Sequence, residues 1–338
     1  MSNFKFLKSY WTDLAKLGDL SEKYVYSDPN TSVIKQGILS EVMVKYMLAY
    51  DGIAEPEYDN THANRIRLLK QNDLLPYEVK NTLYILRKDR NNAAHNAADE
   101  GARALSNLEL LYNLCVWFMQ TYGDYNYVPE PYVTPVDVVV SLEDLEQENK
   151  ELEARNKQLL IELQTIQQQG KADSNRRVVA YSKALALKLT EAQTRELIDD
   201  QLRKCGWEAD TNEIRYSKGT RPTKGKNLAI AEWPTDSMFG DNGYADYTLF
   251  IGEKLVGIVE AKKKHTNISS VLDGQCKDYA KMIKPEHQKY VINRFGAYMA
   301  PFLYATNGRP YIKQYEQMSG IWFLDVREPF NAPKALSG

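Results

Sequence analysis

The sequence predicts an α+β chain with two domains. An all-α helical N-terminal domain, a long connecting helix and a C-terminal α/β domain with a mixed central sheet are expected in that order. Three observations lead to this prediction: the first part of the chain spaces apolar residues by three and four, a heptad repeat follows, and short β-like segments then alternate with helical ones. At 338 residues, the chain is also too long for one ordinary core.

The helical N-terminal domain is predicted over residues 1–125. Within it, residues 34–50 and 103–121 carry apolar side chains at the spacing of an amphipathic helix. Pro76 suits the first turn of a further helix that runs to about Lys88.

An extended connector and a heptad-patterned helix are predicted within residues 126–175. Residues 122–137 contain three prolines and no helical period. The heptad pattern over 141–169 is formed by Leu142, Leu145, Asn149, Leu152, Asn156, Leu159, Leu163 and Ile166. A parallel homodimer in this register would oppose Glu148 with Glu153. Packing of this coiled-coil helix within the molecule, or on a partner protein, is therefore favoured over self-dimerisation.

The α/β domain is predicted over residues 176–330. A helix over 191–204 takes Thr190 as its N-cap and carries Glu191 in its first turn. Another helix is expected at about 270–284. The β-like runs cover 228–233, 245–251, 255–261, 302–306 and 321–325. Helix, hairpin, helix and strand in this order indicate a mixed sheet.

Two acids and a lysine are expected to meet at one end of the hairpin formed by the second and third runs. Asp246 begins one strand and Glu260 ends the next, so an antiparallel hairpin makes them neighbours. Lys262 follows Glu260 by two residues and shares its face if the strand persists. The alternative for the bare pattern is a solvated strand end.

These groups suit hydrolysis of a phosphodiester. Two carboxylates can hold Mg²⁺, which would polarise the phosphate and activate a water, while an amine orients that water. The carbonyl of Ala261 and the side chain of Glu191 are further candidate metal ligands. Gln275 and Tyr279 lie four residues apart on the following helix and are expected to share one of its faces.

The segments GYADYTLF, LVGIVEAKKK and GQCKDYA together resemble the N-terminal nuclease domain of type I restriction enzyme R subunits. The resemblance covers about residues 180–327, and residues 1–125 look like the helical extension of one subgroup. It assigns Asp246, Glu260 and Lys262 to the PD-(D/E)xK triad. It also assigns Gln275 and Tyr279 to the QxxxY motif of RecB-like nucleases.

The resemblance implies a restriction-endonuclease-like fold and a type I site-specific deoxyribonuclease used in phage defence. Cleavage of double-stranded DNA by this domain would depend on Mg²⁺ and be independent of sequence. Family R subunits continue into an ATP-binding helicase-like motor, whereas this sequence stops at Gly338. Either it is part of a longer subunit, which we favour, or the motor is a separate chain. The implied partners are DNA and the modification and specificity subunits of a restriction-modification complex.

A cytoplasmic location is expected from the three dispersed cysteines, and a membrane partner is not expected because no apolar run is long enough for a span. The net charge of −2 gives no basic signal for the whole chain, so contacts with DNA must use local patches. The candidates are Lys218, Arg221, Lys224, Lys226, Lys263 and Lys264. A mobile solvated loop is the alternative for residues 217–227.

Two other functions stay open. Residues 90–95, RNNAAH, fit the R-x4-H motif of HEPN helical domains, some of which are ribonucleases. Arg90 and His95 would then form a second site, although a structural helix turn is the favoured interpretation. The other alternative is a non-catalytic scaffold that docks the modification and specificity subunits through the helical domain and the heptad helix.

Overall fold

The computed structural model describes residues 2–55, 58–93, 100–137, 155, 158–236, 243–262 and 266–336. Contacts divide the chain into two units, Met1–Lys188 and Leu189–Gly338. The first unit is helical and the second is built on a mixed sheet, so the predicted α+β class is confirmed. None of the described helices is long and apolar enough to cross a membrane.

Helices form the first unit, and the helices expected around 34–50, 103–121 and after Pro76 are all present. Their bounds are α1 (Thr12–Tyr24), α2 (Pro29–Tyr50), α3 (His62–Gln71), α4 (Tyr77–Ala93), α5 (Glu100–Tyr122) and α6 (Ser174–Ala184). The Asp28 side chain accepts a hydrogen bond from the Thr31 N–H and caps α2. Residues 158–169 are helical as well.

Most of the predicted heptad helix lies outside the described residues, including both of its a-position asparagines, Asn149 and Asn156. Of its later positions, Leu159 and Leu163 are buried in the helical core of unit 1. This burial agrees with packing within the molecule for residues 158–169.

Helix α6 belongs to unit 1, although the sequence placed the boundary near residue 176. Ala180 and Ala184 are buried in the helical core, and the Trp117 Nε1–H donates to the Ala180 carbonyl at 2.9 Å. Arg176 pairs with the buried Asp51 at 2.7 Å. These contacts place the division between units at Lys188 and Leu189.

Within the described residues, the sheet of unit 2 has seven strands in the order β1 to β7. They are β1 (Glu208–Ala209), β2 (Asn227–Thr235), β3 (Gly243–Ile251), β4 (Lys254–Ala261), β5 (Phe302–Thr306), β6 (Ile321–Asp325) and β7 (Lys334–Leu336). Strands β1 and β2, and strands β4 and β5, pair in parallel, and the other neighbours are antiparallel. The five predicted strands are present, whereas β1 and β7 are too short to show a period of two.

A helical crossover joins β4 to β5, as expected. It consists of α8 (Ile268–Val271), a π-helical segment (Leu272–Cys276) and α9 (Lys277–Lys281). One apolar cluster unites this crossover with the sheet through residues such as Ile258 and Leu272, and a separate cluster holds Ile198, Tyr247 and Val259. The sheet is therefore buried by helices through two different sets of side chains.

Helix α7 (Glu191–Lys204) reaches the end of the sheet at which Asp246 and Glu260 lie. The Thr190 hydroxyl accepts from the Gln193 N–H at 3.2 Å, and the Gln193 side chain accepts from the Thr190 N–H at 2.9 Å. Further along, buried Asp199 accepts hydrogen bonds from Thr211 and from the Tyr247 hydroxyl in β3. The cap fixes where the helix begins, and Asp199 fixes it against the sheet.

We expect Thr190→Ala to destabilise unit 2 by about 1 kcal/mol, because it removes half of the reciprocal cap and leaves helix N–H groups unpaired. Chemical denaturation would measure this change. Thr223→Ala is the matched control, since its exposed hydroxyl bonds only to the Arg221 carbonyl within a loop. An equal loss of stability in both variants would contradict the role of the cap.

Candidate active site

Asp246 in β3 and Glu260 in β4 lie at the same end of the hairpin. The register pairs Tyr247 with Val259, so the two acids are the next residues along their strands. The Ala261 N–H donates to Asp246 Oδ2 at 2.8 Å, which ties the carboxylate of one strand to the backbone of the other. Lys262 Nζ lies 2.7 Å from Glu260 Oε1. The structure therefore brings the two acids and the lysine together.

Glu260 is the most deeply buried of these groups, with 3% of its surface exposed. Burial is the main cause that raises its pKa to about 7; the Asp246 charge adds to the rise, and Lys262 opposes it. Within the described part of the chain, Glu260 Oε2 is buried without a hydrogen-bond partner. A buried carboxylate oxygen with no donor is a position where a cation would be favourable.

The residues present fit a hard divalent cation by their chemistry, because Asp246 and Glu260 offer carboxylate oxygens and Ala261 follows with a backbone carbonyl. The fit rests on two carboxylates only. Within the described ranges, no group of three or more His, Cys, Asp or Glu side chains is arranged to hold a metal.

Glu191, the candidate third acid, does not contact either of the other two. Its side chain is 52% exposed and pairs with Arg195 one helical turn later, at 3.3 Å. Arg195 in turn donates to Asp246 Oδ1. Glu191 thus reaches the site through an arginine.

Glu232 is a residue of this site that the sequence analysis missed. It lies in β2 between the pairs Ala231–Tyr247 and Trp233–Ala245, a position that faces Asp246 in the register. Its φ of +51° is rare for a residue with a side chain, and it interrupts the ladder at this point. Its carboxylate pairs with Arg195 at 3.3 Å and with Arg215.

A signal for Glu232 was present in the sequence. The run LAIAEW carries one acid in an otherwise apolar strand, as do the strands of Asp246 and Glu260. Three neighbouring strands that each hold one acid predict a row of carboxylates across the sheet.

Tyr279 lies near the acids, whereas Gln275 is exposed. The pKa of Tyr279 is raised to about 12, first by burial and then by the charges of Glu260 and Asp246. A Cβ added at Gly243 would come within 3.2 Å of the Tyr279 ring, so the ring lies close against the start of β3. Gln275 belongs to the π-helical segment, so the α-helical spacing assumed for this pair does not hold there.

The basic segment 218–226 lies at the other end of these strands. The Gly252 N–H, in the β3–β4 turn, donates to the Lys226 carbonyl at 2.8 Å. Gly252 lies six positions after Asp246, which corresponds to roughly 20 Å along a strand. Lys226 pairs with Glu208 at 3.1 Å, and Lys218 with Glu213 at 2.8 Å.

The other basic candidates are less defined. The Arg221 guanidinium stacks on the Tyr216 ring at 3.7 Å. Lys224 is exposed in the same loop, and Lys263 and Lys264 lie outside the described residues. Lys262 is therefore the basic side chain that the structure places against Glu260.

The RNNAAH segment is only partly described. Arg90 pairs with Glu41 at 2.7 Å, and Glu41 also accepts from Arg65 at 2.9 Å. His95 lies outside the described residues, so its position relative to Arg90 stays a prediction. Through this ion pair, Arg90 in α4 makes a structural contact with α2.

The comparisons indicate the class of protein that the chain resembles: it is similar to the endonuclease subunits of type I restriction enzymes. Residues 208–338 match the family model described as "Type I restriction enzyme EcoKI endonuclease subunit second domain". The whole chain is similar to the type I restriction enzyme EcoKI endonuclease subunit of Escherichia coli (strain K12), with 29% identity over 409 aligned positions. This confirms the resemblance to the N-terminal part of an R subunit.

The alignment covers 99% of this chain and 35% of that relative. The chain therefore spans about a third of the length of the curated relative it matches. No solved structure matches the chain.

We expect the contribution of Glu260 to the stability of the chelator-treated protein to fall as the pH rises from about 4.5 to 7. The folded state keeps the Glu260 proton up to a pKa of about 7, whereas the unfolded state releases it near 4.5. The unfolded state then binds fewer protons, so the free energy of unfolding falls by an amount on the order of 3 kcal/mol.

Denaturation of wild type and Glu260→Gln across this pH range measures the effect. The difference in stability between the two should change with pH. Glu208→Gln, at an exposed acid paired with Lys226, serves as the control and should track wild type. Parallel pH profiles for wild type and Glu260→Gln would show that Glu260 titrates normally.

Proposed function

We propose that unit 2 is a Mg²⁺-dependent PD-(D/E)xK nuclease domain of a type I restriction enzyme R subunit, which cleaves phosphodiesters of double-stranded DNA without reading their sequence. The observation that carries this proposal is the meeting of Asp246, Glu260 and Lys262 at one end of the β3–β4 hairpin. The similarity to a type I endonuclease subunit supports it.

Asp246, Glu260 and the Ala261 carbonyl are the proposed metal ligands. When bound there, Mg²⁺ would supply a Lewis acid for the phosphate and a water of lowered pKa. The Ala261 N–H orients Asp246 by binding Oδ2, and burial holds Glu260 in one position. These constraints preorganise the two carboxylates before any ligand arrives.

Lys262 is the proposed partner of the attacking water and of the phosphate. Its ammonium already lies 2.7 Å from a carboxylate oxygen of Glu260, so it can donate to a water or phosphate oxygen at the same place. Tyr279, whose pKa is raised by burial and by the charges of Glu260 and Asp246, is the proposed hydroxyl donor to a phosphate oxygen. Gln275 is exposed and would contact DNA at the rim of the site.

The proposed substrate contacts are electrostatic, and sequence would be read elsewhere. Lysines in and beside the segment 218–226, with Lys263 and Lys264, would bind DNA phosphates. In the resembled enzymes a separate specificity subunit reads the bases, and a motor that uses ATP follows the nuclease domain. We therefore propose modification and specificity subunits as partners and the cytoplasm as the location.

We expect Glu260→Ala or Lys262→Ala to reduce Mg²⁺-dependent DNA cleavage at least about a hundredfold, because each removes a group that acts on the transition state. Plasmid cleavage by the chain at high concentration, or by the assembled complex with ATP, measures this. Lys204→Ala is the matched control, since Lys204 also pairs with a carboxylate, Asp200, but at the far end of α7.

Circular dichroism and thermal midpoints separate loss of activity from loss of fold in these variants. Equal cleavage by wild type and Lys262→Ala would remove Lys262 from the mechanism. Intact complex formation with no Mg²⁺-dependent cleavage by wild type would instead favour a non-catalytic scaffold.

We expect the double variant Lys224→Ala/Lys226→Ala to weaken binding of DNA of any sequence and to lower the salt slope of binding by about two, since each lysine at a phosphate releases about one counterion. Fluorescence anisotropy at several salt concentrations measures the slope. The double variant Lys204→Ala/Lys289→Ala removes the same charge from other exposed positions of unit 2. The same loss in both would indicate a general charge effect.

A further inference from the structure

Arg195 is the side chain that connects the acids of the site. Its guanidinium donates to Asp246, and it lies 3.3 Å from Glu191 and 3.3 Å from Glu232. These three acids come from three different elements, α7, β2 and β3. Only 19% of the Arg195 side chain and 9% of the Asp246 side chain are exposed, so the contact between these two is made largely out of water.

Arg195 and the Ala261 N–H together bind both oxygens of Asp246. The Ala261 N–H already occupies Oδ2 at 2.8 Å, and Arg195 binds the other oxygen, Oδ1. A divalent cation held between Asp246 and Glu260 would bring its own positive charge to this carboxylate. The guanidinium and the cation are therefore competitors for one charge position.

Arg195 has other acceptors within reach if it leaves Asp246. Glu232 and Glu191 are already in contact with it, so a short movement preserves its charge pairing. Glu232 is itself held by Arg215, and its left-handed backbone turns it out of the regular ladder. The acceptor that would receive the guanidinium is thus fixed in place beforehand.

We infer that Arg195 is a displaceable internal counter-ion. It neutralises and orients Asp246 while no metal is bound, and it shifts to Glu232 and Glu191 when a divalent cation binds between Asp246 and Glu260. This inference rests on the proposed nuclease function and deepens it. Arg195 is a positioning residue. Its loss primarily changes the affinity for the metal and the stability of the metal-free protein, and it affects the chemical step only through these.

Calorimetric titration of the chain with Mn²⁺, and thermal midpoints in chelator and in saturating Ca²⁺, test this role without any activity measurement. We expect Arg195→Gln to bind Mn²⁺ about tenfold more tightly, because its competitor is gone. Its thermal midpoint should fall in chelator and recover in Ca²⁺. Arg203→Gln is the matched control, since Arg203 lies on the same helix and donates to the Ala209 carbonyl rather than to an acid of the site.

Glu232→Gln provides a second variant at a partly exposed position, should Arg195→Gln fold poorly. Loss of this acceptor leaves Arg195 on Asp246 and should weaken Mn²⁺ binding several-fold. Mn²⁺ affinity that is unchanged or weaker in Arg195→Gln overturns the inference. So does a midpoint that falls equally in chelator and Ca²⁺, which indicates a structural ion pair.

The proposed function fails in a different way. If wild type binds no Mn²⁺, or if Glu260→Gln binds it as well as wild type, the metal site itself is wrong and the inference falls with it. If Glu260→Gln loses Mn²⁺ binding while Arg195→Gln behaves as Arg203→Gln, the metal site stands and the role of Arg195 is refuted.

Discussion

The register of β3 against β4 is the constraint on which the candidate site depends. It places Asp246 beside Glu260, and the hydrogen bond from the Ala261 N–H to Asp246 exists only in this alignment. A slip by one residue would send either acid to the other face of the sheet. The register shifts once, near Leu249 and Phe250, and leaves Val256 unpaired at the turn end, so the acid end keeps regular pairing.

Helix α7 is held to this hairpin by polar contacts rather than by packing alone. Asp199 binds both Thr211 and the Tyr247 hydroxyl, and Tyr247 is the residue after Asp246. Arg195 lies one turn before Asp199 on the same helix, so the anchor that docks the helix also sets the reach of the guanidinium. The electrostatics of the acids are thereby coupled to how α7 sits on the sheet.

Sequence patterns predicted the features that are determined by local interactions along the chain. The strands of five to nine residues can be recognised by their apolar runs, and the cap formed by Thr190 and Gln193 can be recognised from the sequence of the helix start. Tertiary contacts decided the rest. Strand β1 has two residues and gains its identity only from pairing with β2, and α6 joins unit 1 because Trp117 and Asp51 bind it. No sequence pattern predicts the left-handed backbone conformation of Glu232.

Lys262 and Arg195 both bring positive charge to the acids, but they differ in what holds them there. Lys262 follows Glu260 by two residues, so the covalent chain keeps the two residues close together whatever the position of β4. Arg195 lies 51 residues from Asp246 in the chain, so its contact exists only when α7 is docked. If α7 separated from the sheet, Asp246 and the buried Glu260 would be left with one cationic side chain, Lys262, instead of two. Like charges at this depth are costly, so docking of the helix and neutralisation of the acids stabilise each other.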